Sequence, residues 1–226
     1  MDKRFALILV VVVALIGGIF VLSKDKKSPN SSNSSSSAGT SNHSEGTGTT
    51  GVELVEYGDL QCPACGQFFP IVEQITEKYG DQIKFTYKNF PLDSIHPNAR
   101  AAHRAAEAAG IQGKFFEMYR LMYQNQTNWA SLGNPVTVFD DYATQLGLNL
   151  EKFKTDFSSE AVNSTINADV KEGKDKYQAN STPTFVIDGQ KVSNTELGSL
   201  DLFTKKIDEA IAAKAASNPT PITPTP

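Results

Sequence analysis

Cysteine and histidine are scarce in this chain, which has two cysteines and three histidines in 226 residues. The low count excludes a framework of several disulfides. The chain has neither a second Cys-x-x-Cys pair nor a closely spaced histidine pair that would suggest a zinc site. A basic excess is lacking as well, because the formal net charge is −4 and a nucleic-acid-binding domain would carry clustered lysine and arginine. We therefore expect neither a metal site nor a nucleic-acid partner.

Charge is absent from one long stretch near the N terminus, residues 5–22, which follows two basic residues. Eighteen residues approach the roughly 20 that cross a bilayer and exceed the roughly 7–15 of a secretory apolar region. We predict a membrane anchor over residues 1–23, with a signal peptide as the alternative. Residues 24–50, rich in serine and glycine, are predicted to form a flexible linker, and the Pro/Thr-rich residues 216–226 a disordered tail.

The remaining residues, 51–215, have the pattern of one α/β domain. Val52 to Tyr57 is predicted to be a buried strand, residues 63–79 show apolar side chains at helical spacing, and residues 83–90 alternate like a strand. A strand, a helix and a strand of these lengths predict a βαβ unit with parallel strands and a right-handed crossover.

A long helical stretch then interrupts the strands. Residues from about 97 to 178 contain no clear strand pattern and are predicted to form a helical insertion. Strand character returns at Thr184 to Ile187, Asp188-Gly189 predicts a hairpin turn, and a closing helix is expected over about 200–215.

Both cysteines belong to one motif, Cys62-Pro63-Ala64-Cys65, directly after the first predicted strand. Cys62 lies where a helix would begin, and the free N–H groups and dipole of a helix N-terminus stabilise a thiolate. Pro63 suits the first helical position. The pair is predicted to be a redox dithiol, with a structural disulfide or half of a metal site as alternatives.

A second signature, Thr182-Pro183, immediately precedes the later strand. The order of strand, Cys-Pro-Ala-Cys at a helix start, strand, helical insertion, Thr-Pro, hairpin and final helix resembles the DsbA-like branch of the thioredoxin superfamily over about residues 51–215. The resemblance implies a thioredoxin fold with a helical insertion. It also implies a redox-active disulfide between Cys62 and Cys65, with no other cofactor.

The resemblance assigns roles to matching positions. It implies that Cys62 is an exposed nucleophile, that Cys65 is the buried resolving cysteine, and that Glu56 is a buried acid that handles the proton of Cys65. Thr182 and Pro183 correspond to a cis-proline loop that faces the dithiol and binds extended substrate. If Glu56 were instead an ordinary strand-edge carboxylate, it would have no such role.

The function that follows is that of a membrane-tethered, extracytoplasmic bacterial thiol:disulfide oxidoreductase. Its partners would be reduced secreted polypeptides and, as the family implies, a quinone-linked membrane oxidoreductase that restores the disulfide. Ala64 departs from the best-known oxidases, which carry histidine or another large side chain there. A reductase or isomerase that uses the same site therefore remains an alternative, as does a non-catalytic peptide-binding or chaperone module.

The histidines and the tryptophan are given ordinary roles. His43 falls in the predicted linker and is expected to be inert, whereas His96 and His103 are expected to lie at the surface or to cap a helix. Trp129 is predicted either to cover the insertion near the site or to pack inside it.

Overall fold

The computed structural model describes residues 39–217. The predicted membrane segment 5–22, most of the predicted linker and residues 218–226 of the predicted tail lie outside the described residues. Among residues 39–217, no helix is long and apolar enough to cross a membrane.

A five-stranded sheet forms the centre of the domain. In chain order its strands are β1 (His43–Glu45), β2 (Val52–Gly58), β3 (Ile83–Asn89), β4 (Thr184–Ile187) and β5 (Gln190–Val192). Their order across the sheet is β1-β3-β2-β4-β5, with β2 and β3 parallel and the other pairs antiparallel. The central position of β2 places the residues that follow it at the middle of the sheet edge.

The predicted βαβ unit is confirmed. Helix α1 (Pro63–Tyr79) connects β2 to β3 and runs through Pro70. Its buried residues Cys65, Val72, Ile75 and Tyr79 recur at intervals of three, four and seven, so one face of the helix packs on the sheet. The cysteine pair therefore lies where a central strand passes into a helix.

The helical insertion is confirmed as well. Its helices are α2 (Ala99–Ile111), α3 (Phe115–Gln124), α4 (Gln126–Trp129), α5 (Val136–Gln145), α6 (Leu150–Phe157) and α7 (Glu160–Tyr177), and the closing helix is α8 (Leu200–Ser217). Trp129 is fully buried, donates Nε1–H to the Met122 carbonyl at 2.9 Å and packs against Phe139. It therefore packs the insertion.

The folded domain begins earlier than predicted, and β1 lies inside the predicted linker 24–50. Ser41 donates its N–H and its hydroxyl to the buried Asp169 at 2.8 and 2.6 Å. His43 Nε2 lies 3.0 Å from Glu107 Oε1, so the expectation of an inert His43 is wrong. The polar composition of this segment predicts disorder. The segment is ordered by Glu107 and Asp169, which are far away in sequence and so are not visible in its local composition.

Candidate active site

The motif forms the beginning of α1, as predicted. Cys62 is the N-cap in an extended conformation (φ −66°, ψ 123°), Pro63 occupies the first turn, and Gly66 N–H donates to the Cys62 carbonyl at 3.1 Å. Cys65 follows one turn into the helix, and both cysteines are free thiols. The backbone therefore directs the unpaired N–H groups of the first turn towards the Cys62 end of the motif.

Cys62 is less accessible than predicted. The residue is 6% exposed and Cys65 is 0% exposed, so the expectation of an exposed nucleophile is wrong in this state. The Thr182 carbonyl lies 3.5 Å from Cys62 Sγ, as the acceptor of its S–H. The loop that ends in Pro183 therefore covers the sulfur, a contact between residues 120 positions apart that sequence spacing does not reveal.

The surroundings of Cys62 favour its thiolate. Its pKa is lowered to about 5, mainly by a hydrogen bond from the Cys65 thiol and, against the opposing effect of burial, by a hydrogen bond from Thr182 and by the backbone N–H groups of Cys65 and Ala64. A thiol with this pKa is largely ionised at neutral pH. It is therefore both a stable leaving group and a ready nucleophile.

Cys65 has the opposite character. Burial raises its pKa well above the usual value, and the charges of Glu56 and Cys62 raise it further. Its sulfur accepts a single backbone hydrogen bond, from Asp59 N–H at 3.5 Å. Cys65 therefore remains protonated under conditions in which Cys62 is ionised.

Glu56 is a buried acid, and the alternative of a strand-edge carboxylate is wrong. It lies on the central strand β2, opposite Tyr87 of β3 and Phe185 of β4, and is 1% exposed. Burial, and then the charge of Cys62, raise its pKa to about 8. Oε2 has no hydrogen-bond partner among the described residues. At neutral pH Glu56 is therefore largely protonated and can act as a proton donor.

Three buried tyrosines, Tyr87, Tyr119 and Tyr123, complete the surroundings of Glu56. Burial raises the pKa of each well above its usual value, and the charges of Glu56 and Cys65 act in the same direction. The hydroxyl groups of Tyr87 and Tyr123 lie 3.3 Å apart. These phenols therefore stay neutral and add no charge to the interior below the motif.

Thr182 and Pro183 face the dithiol, as the resemblance implied. Their peptide bond is cis. The Thr182 hydroxyl is buried and makes no hydrogen bond in the described part of the chain while Cys62 is a thiol, which leaves it available to the thiolate. Asn194 Nδ2 donates to the Pro183 carbonyl at 2.8 Å and helps to fix the loop.

Asp59 is a positioning residue that the sequence does not reveal, because an aspartate after a glycine has the local signature of a turn. Asp59 is fully buried. Its carboxylate accepts the N–H of Gln61 at 2.8 Å and of Leu92 at 2.9 Å, and lies 2.7 Å from His96 Nδ1. Asp59 thus joins the turn before Cys62 to the loop after β3, and His96 belongs to the support of the site.

His103 is likewise buried. Its Nε2 accepts Leu60 N–H at 3.3 Å, and its Nδ1 lies 2.7 Å from Asn89 Oδ1. Burial, and then the charge of Arg100, lower its pKa to about 3, so the ring is neutral and its proton is assigned to Nδ1 by the acceptor role of Nε2. The prediction of a surface or capping histidine is wrong here.

Gln126, from the insertion, holds the motif from the other side. Its Nε2 donates to the carbonyls of Leu60 at 2.8 Å and Cys62 at 3.0 Å. The backbone of Leu60 is therefore held at its N–H by His103 of α2 and at its carbonyl by Gln126 of α4. No sequence signal identifies Gln126, because 64 residues separate it from Cys62 and only the fold brings them together.

Within the described ranges, no group of three or more histidine, cysteine, aspartate or glutamate side chains is arranged to hold a metal ion. The chemistry that the site can perform with its own groups is thiol–disulfide exchange. The site has one thiol with a lowered pKa, Cys62, a second thiol that stays protonated, Cys65, and a neutral buried acid, Glu56.

The sequence model of the family described as Thioredoxin matches residues 39–209, more than half of the chain. The chain therefore belongs to the thioredoxin family. Within it, the fold is that of the DsbA-like proteins. The crystal structure of alpha-DsbA1 from Wolbachia pipientis matches with a TM-score of 0.64 and 21% identity, over 74% of this chain and 88% of that one. The oxidised form of BdbD from Bacillus subtilis matches with a TM-score of 0.64 and 21% identity, over 75% of this chain and 92% of that one.

Curated relatives share more sequence over a shorter region. The Na(+)/H(+) antiporter NhaA 1 of Mycobacterium sp. (strain KMS) is 34% identical over 142 residues, which cover 61% of this chain and 22% of the antiporter. The chain thus spans about a fifth of the length of the curated relatives it matches.

Proposed function

We propose that this protein is an extracytoplasmic thiol:disulfide oxidoreductase that donates the Cys62–Cys65 disulfide to reduced secreted polypeptides. One observation carries the proposal: the two thiols of a single motif have opposite pKa shifts, to about 5 for Cys62 and well above the usual value for Cys65. A structural disulfide has no need of such a difference. The difference is what ordered exchange through one sulfur requires.

The exchange begins from the oxidised motif. A substrate thiolate attacks Cys62 Sγ, which forms a mixed disulfide and expels Cys65 as a thiolate. A second substrate thiolate then attacks the substrate sulfur of the mixed disulfide and expels Cys62. The substrate loses two electrons and two thiol protons, and the motif gains the two electrons.

Glu56 supplies a proton in the first step. The Cys65 thiolate is buried and its pKa is well above the usual value, so it requires a proton as it leaves. The Glu56 carboxyl, with a pKa of about 8, is protonated at neutral pH. It lies close enough to Cys65 that its ionised form raises the pKa of that thiol. Glu56 then regains a proton from solvent before the next cycle, and one net proton is released with the Cys62 thiolate.

The low pKa of Cys62 supports the proposed direction of electron flow. A stabilised thiolate stabilises the reduced protein, which makes the disulfide form a stronger oxidant. The low pKa therefore favours disulfide donation over the alternative of a reductase. Exchange must then be completed by a partner that removes the electrons, and a quinone-linked membrane oxidoreductase is the partner that the DsbA-like fold suggests.

The proposed location rests on residues outside the described part. An uncharged segment at 5–22 would anchor the protein, and a disulfide donor works in an oxidising compartment. The catalytic domain is therefore proposed to lie outside the cytoplasm, at the cell membrane.

Oxidation of a reduced, unfolded protein by the stoichiometrically oxidised enzyme tests the proposal. The wild type should introduce disulfides and Cys62→Ala should not, whereas Cys65→Ala should accumulate a mixed disulfide when Cys62 is first activated with a small disulfide. Pro226→Ala, far along the chain from the motif, serves as a matched handling control.

The outcomes separate the alternatives. Equal activity of Cys62→Ser and the wild type in preventing aggregation, without any oxidation by the wild type, would favour a peptide-binding module. A Cys62 pKa near the ordinary value of about 8.5, together with a potential near the roughly −270 mV of thioredoxin, would favour a reductase.

A further inference from the structure

A cleft of about 500 Å³ lies beside the active site, between the loop after β3, helix α7 and the segment that leads to Pro183. Its apolar lining includes Phe90, Leu92, Val170 and Ala179. In the same loop, Ile95 is 67% exposed and follows the cleft-lining residue Ser94, so it adds exposed apolar surface to this loop. A cleft of this size accepts one large apolar side chain with its backbone.

Two connections place the cleft close to the dithiol. Asn180 lines the cleft two residues before Thr182, whose carbonyl is 3.5 Å from Cys62 Sγ. On the other wall, Leu92 N–H donates to Asp59 Oδ2 at 2.9 Å, and Cys62 N–H donates to the Asp59 carbonyl at 3.0 Å. At about 3.3 Å per extended residue, the cleft begins within about 10 Å of the reacting sulfur, or three residues of an extended chain.

The cleft is lined by two basic side chains, Arg100 and Lys174, and one acidic side chain, Asp93. The charge of Arg100 is compensated, because its guanidinium binds Asp93 and donates Nη1–H to Asn167 Oδ1 at 2.8 Å. Lys174 has no carboxylate within 4.0 Å among residues 39–217. Its Nζ lies 6.0 Å from the Phe90 ring centroid, above the apolar floor. The rim thus presents one uncompensated positive charge.

We propose that this cleft binds the substrate segment next to the reacting cysteine and selects a large apolar side chain followed by an aspartate or glutamate. The inference rests on the proposed function and names a sequence preference for it. The apolar side chain, two or three residues from the cysteine, enters between Leu92 and Val170. The carboxylate beyond it pairs with Lys174.

A pair of reduced peptides tests the assignment. Each carries two cysteines and a leucine three residues from the first cysteine, and the residue after the leucine is aspartate in one peptide and lysine in the other. The rate at which excess peptide reduces the oxidised protein is followed by acid quenching, alkylation of the new thiols and mass spectrometry. Exposed ion pairs and repulsions of this kind change rates by about two- to tenfold.

With the wild type, the aspartate peptide should react about two- to tenfold faster than the lysine peptide, and salt should reduce the difference. Lys174→Glu should reverse the order. Lys205→Glu, on the exposed face of α8, is the matched control and should keep it. Ser94→Trp, which fills the cleft from its rim, should abolish the advantage of leucine over serine in otherwise identical peptides.

Equal rates for the two peptides with the wild type, or a preference for aspartate that survives Lys174→Glu, would overturn the assignment while leaving disulfide donation intact. If the wild type oxidises neither peptide nor an unfolded protein, the proposed function itself fails. The assignment of the cleft then falls with it.

Discussion

Thr182→Val removes the hydroxyl that faces Cys62 and keeps the shape of the side chain. Thr182 is buried, and its Oγ1 has no other hydrogen-bond partner in the described residues. Its hydrogen bond lowers the pKa of Cys62. The substitution should therefore raise that pKa without opening the site.

The expected size follows from the energy of one hydrogen bond to a charged group. A loss of about 1.5–3 kcal/mol, at about 1.36 kcal/mol per pKa unit, would raise the Cys62 pKa from about 5 to roughly 6–7. At pH 7, ionisation of a thiol with a pKa of about 5 stabilises the reduced protein about 100-fold relative to a thiol that stays protonated, which raises the reduction potential of a two-electron couple by about 60 mV. In the variant this contribution should be only about 10–30 mV, so its reduction potential should be about 30–50 mV lower than that of the wild type.

The pKa is measured by the ultraviolet absorbance of the thiolate during a pH titration, and the potential by equilibration with glutathione. Ser181→Ala, one residue earlier and exposed, is the matched control and should change neither value. An unchanged Cys62 pKa in Thr182→Val would show that the hydroxyl does not contact the thiolate and does not contribute to the low pKa of Cys62.

Three further predictions concern the support of the same site. The reduction potential of the wild type should fall by about 30 mV per pH unit above pH 5 and by about 59 mV below it, because Cys62 binds a proton on reduction only below its pKa of about 5; one uniform slope would contradict this. Glu56→Gln should slow both reduction and reoxidation. Between pH 4 and 7, the free energy of unfolding of the wild type should also fall by up to about 4 kcal/mol relative to that of this variant. The reason is that native Glu56, with a pKa of about 8, keeps a proton that the unfolded chain releases above about pH 4.3. Parallel stability curves and equal rates would remove Glu56 from the mechanism. Gln126→Ala should destabilise the protein by about 1–3 kcal/mol by leaving the Leu60 and Cys62 carbonyls without their side-chain donor, whereas the exposed Gln124→Ala should have little effect in the same denaturant titration.

The elements around the motif could be predicted because their signals are local. The run Val52 to Tyr57, the proline after Cys62 and the apolar spacing of α1 each specify structure within a few residues. Glu56 and Thr182 required the family resemblance, since neither residue type indicates by itself that it will face a sulfur. Their placement beside Cys62 then followed from the order of the strands.

The support of the site could not be predicted, because it consists of pairs that only the fold brings together. Asp59 lies 37 residues from His96, and Gln126 lies 66 residues from Leu60. A single aspartate after glycine has the local signature of a turn, and its burial depends on the loop that later packs over it. Likewise, β1 is only three residues long, and its place in the sheet depends on pairing with β3 rather than on its own composition.

Position 64 shows why a departure from the family motif need not weaken the thiolate. Ala64 offers no side-chain charge or hydrogen bond to Cys62. The interactions that lower the Cys62 pKa come instead from the Cys65 thiol, from Thr182 and from the backbone N–H groups of Cys65 and Ala64. Alanine supplies its backbone N–H as readily as histidine does. The stability of the thiolate, and with it the proposed tendency to donate a disulfide, is therefore set by the start of α1 and by the loop that covers it rather than by the side chain between the two cysteines.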